Sequence, residues 1–321
     1  MNHRALLCAL GAVASVGLVP SVQSQERIPT IGYLTLNSEG TPGEQGFREK
    51  LQELGYAEGS NIVIERRYAR LAQLAALASE LVQKRVDLIV TVSTPAARAA
   101  LEATATIPVI FLSGAPVSAG LATSIAHPNG NATGVSILST ELYPKRVEYL
   151  HLVAPRARRM AYLMNPANPI AALQLEAVQK AAQKLGLQVL RFDLRDPDEL
   201  DAVLVAITRS KANAVLIGGD AYIYSNMAKV AQALRRAKLP AISPNADSSS
   251  EGVLMSYGVD NREVGRKMAV YADKILKGAK PADLPIEEIS TYKLIIDLRI
   301  ARELGINVPQ DLLFRADEVI R

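Results

Sequence analysis

From Ile28 onward the chain alternates short apolar runs with longer amphipathic ones. Ile62-Val63-Ile64, Asp87-Leu88-Ile89-Val90-Thr91-Val92 and Pro108-Val109-Ile110-Phe111-Leu112 read as strands. Between them Leu71, Leu74, Leu77, Ala78 and Leu81 recur at helical spacing. Continuous apolar strands separated by helices predict a parallel sheet covered on both faces.

The pattern then returns about 130 residues further on. Ile31-Gly32-Tyr33-Leu34 is matched by Met160-Ala161-Tyr162-Leu163, and Leu51-Gln52-Glu53-Leu54-Gly55 by Ala182-Gln183-Lys184-Leu185-Gly186. Arg85-Val86-Asp87-Leu88-Ile89-Val90 pairs with Lys211-Ala212-Asn213-Ala214-Val215-Leu216, Ile107-Pro108-Val109-Ile110 with Leu239-Pro240-Ala241-Ile242, and Gly134-Val135-Ser136 with Gly252-Val253-Leu254. Five matches in one order predict an α/β protein of two doubly wound, Rossmann-like lobes with parallel sheets. Leu54-Gly55, Leu185-Gly186 and Leu304-Gly305 read as helix stops, because glycine accepts the left-handed conformation that ends a helix.

Further segments follow the second copy. Val264, Met268, Tyr271 and Ile275 describe a helix ending at Lys277-Gly278, Pro281 and Pro285 break the chain, and Leu294-Ile295-Ile296 reads as a strand. This surplus predicts three passages between lobes, near Ser139, Tyr257 and Leu284. Lobe one would then comprise 28–139 plus 257–284, and lobe two 140–256 plus 285–321.

The start of the chain reads differently. Arg4 precedes an uncharged stretch, Ala5 to Val19, and a polar segment in which Val22 and Ser24 suit a signal-peptidase site. A cleaved secretory leader over residues 1–24 and a periplasmic location are the expectation. The apolar run is short of the roughly 20 residues a membrane anchor needs. Cys8 lies within the leader, too early to be a lipid-modified first residue, so the exported chain would contain no cysteine and carry a net charge of +3.

Composition excludes several classes. The full chain has a net charge of +4, 5% aromatic residues and no tryptophan, which argues against a base-stacking nucleic-acid surface. Three histidines and one cysteine are too few for a His/Cys metal centre. No glycine-rich dinucleotide loop, Walker loop, nucleophile elbow or zincin helix is present, and no cofactor is expected.

Ligands of open parallel sheets sit beyond the carboxyl ends of the strands. There the chain places Asn37-Ser38, Ser93-Thr94-Pro95, Ser113-Gly114, Asn165-Pro166, Gly218-Gly219-Asp220, Pro244-Asn245 and Ser256-Tyr257. Lobe one would contribute Asn37, Ser38, Ser93, Thr94 and Ser113; lobe two would contribute Asn165, Asp220 and Asn245, with Tyr222 and Tyr257 flanking. At Ser93-Thr94-Pro95 free amides at a helix start can receive a carboxylate, or the segment is a plain cap. Asp220 either accepts from a ligand amine or hydroxyl or merely starts the next helix. Each tyrosine either meets the ligand or packs.

Several segments together resemble a known family. They are Phe47-Arg48-Glu49-Lys50-Leu51-Gln52-Glu53-Leu54-Gly55-Tyr56, Asn61-Ile62-Val63-Ile64-Glu65, Ser93-Thr94-Pro95-Ala96-Ala97, Gly120-Leu121, His127-Pro128-Asn129-Gly130-Asn131-Ala132-Thr133-Gly134, Lys274-Ile275-Leu276-Lys277-Gly278-Ala279-Lys280-Pro281 and Arg315-Ala316-Asp317-Glu318-Val319-Ile320. Over residues 28–321 the chain resembles the substrate-binding proteins of bacterial ABC importers that have the type I periplasmic-binding fold, a group related to tryptophan and other amino-acid binders. The resemblance implies two lobes with three crossovers, a small-molecule ligand in the cleft and delivery to a membrane permease. Many relatives carry Asp-Pro-Val where this chain has Ala115-Pro116-Val117, which removes a possible amine partner and favours a carboxylate or neutral ligand. A monomer that performs no chemistry on its ligand is the expectation; the rivals are a ligand sensor for a receptor and an exported α/β enzyme.

Overall fold

The computed structural model describes residues 27–128 and 130–321. The leader expected over residues 1–24, with Cys8 inside it, lies outside the described residues. The first half runs β1 (Thr30–Thr35), α1 (Pro42–Glu53), β2 (Val63–Tyr68), α2 (Leu74–Gln83), β3 (Leu88–Thr91), α3 (Thr94–Ala103), β4 (Val109–Ser113), β5 (Ala132–Ser136). The second runs α4 (Ser139–Val153), β6 (Arg159–Met164), α5 (Ala171–Lys184), β7 (Gln188–Asp193), α6 (Leu200–Arg209), β8 (Ala214–Ile217), α7 (Ala221–Ser225), α8 (Met227–Arg236), β9 (Ala241–Asn245), β10 (Met255–Val259). Then come α9 (Asn261–Leu276), β11 (Glu287–Glu288), β12 (Lys293–Asp297), α10 (Leu298–Leu304), α11 (Gln310–Arg315) and β13 (Glu318–Ile320).

Two sheets result, ordered β11-β5-β4-β3-β1-β2 and β13-β12-β10-β9-β8-β6-β7. The paired strands run parallel except β12, which is antiparallel to β10. The repeat in the sequence is a repeat of topology: β1 lies between β2 and β3, and β6 lies between β7 and β8. Strands β3, β4 and β8 are buried along their whole length, so each presents apolar side chains to helices on both faces. Burying one such residue, for example Ile89, stabilises by roughly 1.5–3 kcal/mol.

The chain first passes between sheets at 137–138, before α4. The other two passages differ from expectation. Tyr257 sits in the middle of β10, inside the second sheet, and the chain leaves only at Asp260. Leu284 precedes β11, which pairs with β5, so the last passage falls at 289–292. Two residues of strand were too short a signal to read. Helix α9 returns to lobe one and packs on α1 backbone to backbone. A Cβ on Gly46 would collide with the carbonyl of Arg262, and one on Gly265 with the carbonyl of Gly43.

Among the described residues no helix is long and apolar enough to cross a membrane, and no group of three or more His, Cys, Asp or Glu is placed to hold a metal ion.

Candidate functional site

The carboxyl ends of both sheets face one another across a cavity of about 930 Å³, counted out to its mouth. Of the residues expected there, Asn37, Ser93, Thr94, Ser113, Asp220 and Asn245 line it. Ser38, Asn165, Tyr222 and Tyr257 do not.

Each of these four has a local reason. The Ser38 amide donates to Ser225 Oγ at 3.0 Å, a contact between lobes. Asn165 is buried behind Asp220 and donates to its Oδ2 at 3.0 Å, so it positions the acid. Tyr222 packs against the apolar cluster around Ile223 and Val230. The Tyr257 ring stands edge-on to Tyr149, with centroids 5.2 Å apart, and only its carbonyl reaches the site.

In lobe one the start of α3 acts largely as a cap. Ser93 Oγ accepts from the Ala96 amide at 3.3 Å, the Ser93 carbonyl accepts from Ala97, and Pro95 has no N–H. The Ala96 and Ala97 amides are thus engaged within the cap. Thr94 Oγ1 and Ser113 Oγ share a hydrogen bond of 2.9 Å on the cavity wall. Asn37 is 8% exposed, and its Oδ1 is buried with no hydrogen-bond partner. A buried acceptor left unpaired costs on the order of 1–3 kcal/mol, which a ligand donor would offset.

In lobe two Asp220 caps α7, accepting from the amides of Tyr222 at 3.0 Å and Ile223 at 3.3 Å. Asp220 therefore starts the helix and also lines the cavity. Burial pushes its carboxyl above the ordinary value, against the lowering effect of its hydrogen bonds. Ala115 does not line the cavity, so the acid available to the site is Asp220 rather than one at position 115. This weakens the expectation that the cleft lacks an amine partner.

Arg146 is the main residue that reading the sequence missed. It is 1% exposed and lies on the cavity wall, with Nε donating to the Tyr257 carbonyl at 2.8 Å and its guanidinium 5.0 Å from the Tyr143 ring. Burial lowers its pKa. Tyr143, Arg146 and Leu150 recur at helical spacing, so a cation on the apolar face of α4 was the available signal. Tyr33 and Phe47, with rings 5.7 Å apart, and Met268 supply apolar wall from lobe one.

Hydrogen bonds and apolar contacts join the lobes. Besides Ser38–Ser225, Asn261 Nδ2 on α9 donates to Asp247 Oδ1 of lobe two at 2.8 Å, and the same carboxylate accepts from Tyr224. Ile170, from the loop after β6, packs with lobe-one residues including Ala96 and Leu34.

Residues 41–320 match the family model described as ABC transporter substrate binding protein. The chain belongs to this family. A curated relative, a tyrosine-binding protein of Clostridioides difficile, is 29% identical over 258 residues, covering 79% of this chain and 74% of the relative. Among solved structures, a Streptococcus pneumoniae ABC domain in complex with L-Trp aligns with a TM-score of 0.82 at 29% identity, covering 91% of this chain and 99% of that one. The ligand-free, open structure of a Clostridium difficile substrate binding protein with adhesive properties gives a TM-score of 0.62 at 25% identity, covering 92% and 99%. The two lobes and their mostly parallel sheets are thus the type I periplasmic-binding fold, and family and fold alike are those of substrate-binding proteins.

Proposed function

We propose that this substrate-binding protein is the periplasmic component of an ABC importer, exported by a leader cleaved near Ser24, and that it delivers a small amino-acid-like or carboxylate ligand to a permease. The observation that carries the reading is the unpaired Asn37 Oδ1 in the same cavity as Asp220. Two acceptors, one from each lobe, suit an ammonium group. Arg146 and the Thr94–Ser113 hydroxyls suit a carboxylate, and Tyr33, Phe47 and Met268 suit an apolar side chain. The amino-acid ligands of the two relatives are in keeping with such a division.

Contacts to both lobes would favour the closed form, and closure would create the surface the permease reads. The higher TM-score against the ligand complex than against the open relative supports a closed arrangement here. The cleft would release its ligand unchanged, as a monomer. The sensor alternative uses the same cleft and differs only in the partner.

The test is a thermal-shift screen of free amino acids, their amides and simple carboxylates, followed by calorimetry. A ligand bound only by the native state must raise Tm. We expect amino acids with apolar side chains to do so. Shifts for none of the three groups would sink the reading.

A further inference from the structure

The edge of lobe two opposite the cleft carries an imbalance of charge that ligand capture does not use. The segment before the parallel strand β10 carries the exposed Glu251; the other four that lead into parallel strands are 154–159 before β6, 183–187 before β7, 208–213 before β8 and 235–240 before β9. They contain Arg156, Arg158, Arg159, Lys184, Arg209, Lys211, Arg235, Arg236 and Lys238, and no acidic residue. All nine are exposed except Arg235, which is half-buried. The register holds the segments side by side. The Gln188 amide donates to the Arg158 carbonyl at 2.9 Å, that of Asn213 to the Arg159 carbonyl at 2.8 Å, and that of Val215 to the Pro240 carbonyl at 2.8 Å. Arg235 lies 3.8 Å from Glu303, and Lys238 Nζ donates to the Glu303 carbonyl. Among the described residues, Arg156, Arg159, Lys184, Arg209, Lys211 and Arg236 form no ion pair.

Helices end at this edge, and cations near a helix carboxyl end are ordinary. Lobe one provides the control, because its helices end the same way. Its matching segments, 27–29, 53–62, 83–87 and 103–108, carry Arg27, Lys84 and Arg85 against Glu53, Glu58 and Asp87. Helix ends alone therefore do not account for nine cations set against Glu251 and Glu303.

We propose that this strand-entry edge of lobe two is a docking face for an anionic phospholipid bilayer. The charges are spread over four loops rather than gathered on one cavity, which suits the diffuse field of a charged surface better than a single anion. None of the four segments contains an aromatic residue, so base stacking has no platform there. The strand ends that form the cleft lie at the opposite edge, so a docked protein keeps its mouth clear of the bilayer. Each cation near such a surface adds attraction, and salt screens it within a Debye length.

The test is co-sedimentation of the full-length exported chain with vesicles of phosphatidylglycerol and phosphatidylcholine in roughly equal parts, against pure phosphatidylcholine. Binding is expected to the mixed vesicles alone and to vanish in about 1 M salt. The lobe-two variant combines Arg159→Gln, Lys211→Gly, Arg236→Gln and Lys238→Gly. Lys211 and Lys238 hold left-handed backbone, at φ 61° and 56°, which glycine accepts readily, so this variant is expected to fold. It should lose at least about tenfold in partitioning. A matched lobe-one variant, Arg27→Gln, Lys84→Gln, Arg85→Gly and Lys277→Gln, should lose much less. The milder pair Arg159→Gln and Arg236→Gln is the reserve should the fourfold variant melt early. Equal losses in the two fourfold variants would reduce the effect to net charge and overturn the proposal. So would a lack of binding to the mixed vesicles, or capture of a soluble polyanion without capture of vesicles.

Discussion

Asp220 is held by opposing effects: burial raises its carboxyl, and three hydrogen bonds pull it back. Burial prevails, so between the ordinary 3.8 and its raised value the folded chain keeps a proton that the unfolded chain has lost. Stability from this group is therefore fullest below 3.8 and falls as pH rises through that window. At neutral pH the ionised carboxylate is a net cost to the empty protein. Asp220→Asn, which retains a capping oxygen, should raise Tm by about 2 °C in scanning calorimetry. The same variant should weaken an amine-bearing ligand by at least about tenfold in titration calorimetry. Affinity in the unsubstituted protein should fall as pH drops through the raised value, because the ammonium needs the carboxylate. Asn37→Leu should likewise lose affinity without lowering Tm, because it removes a buried unpaired acceptor.

The contact of α1 with α9 brings lobe one's last helix back against its first. Gly43 and Gly265 stand on the cavity wall at that contact, and the close backbone approach leaves no room for a methyl group. Gly265→Ala should therefore push the helices apart and destabilise by at least about 1–3 kcal/mol, read from urea unfolding. An alanine at Gly278, where the space around the Cβ position is open, should cost only what its φ of 97° imposes. In the sequence the apolar period of α9 was plain, but its glycines gave no warning of the contact, because nothing local says which backbone will approach. The start of α3 was more legible. Ser93-Thr94-Pro95 is a cap whose chemistry lies within a few residues.

At the scale of the molecule, Ile170 is a lobe-two residue buried in lobe one's apolar cluster and set on the cavity wall. Under the proposed hinge motion, opening would expose it. Ile170→Ala should therefore shift the ligand-free protein toward an open form, since such truncations cost roughly 2–5 kcal/mol where the residue is buried. Small-angle scattering should give a larger radius of gyration for the variant, and an unchanged radius would contradict the role assigned to this side chain. The hydrogen bond of Asn261 to Asp247 works in the same direction from the hinge side.

The two similar α/β halves and the polar strand ends were determined by the sequence, because apolar periodicity, helix stops and caps are local and were written twice. The passages near Asp260 and 289–292, the pairing of the two-residue β11, and the choice of Asn37 and Asp220 over Ser38, Tyr222 and Tyr257 were decided by the tertiary structure. So was the burial of Arg146 on the cleft wall. Each depends on which distant segments meet and which way a side chain then turns, and a one-dimensional pattern carries neither quantity.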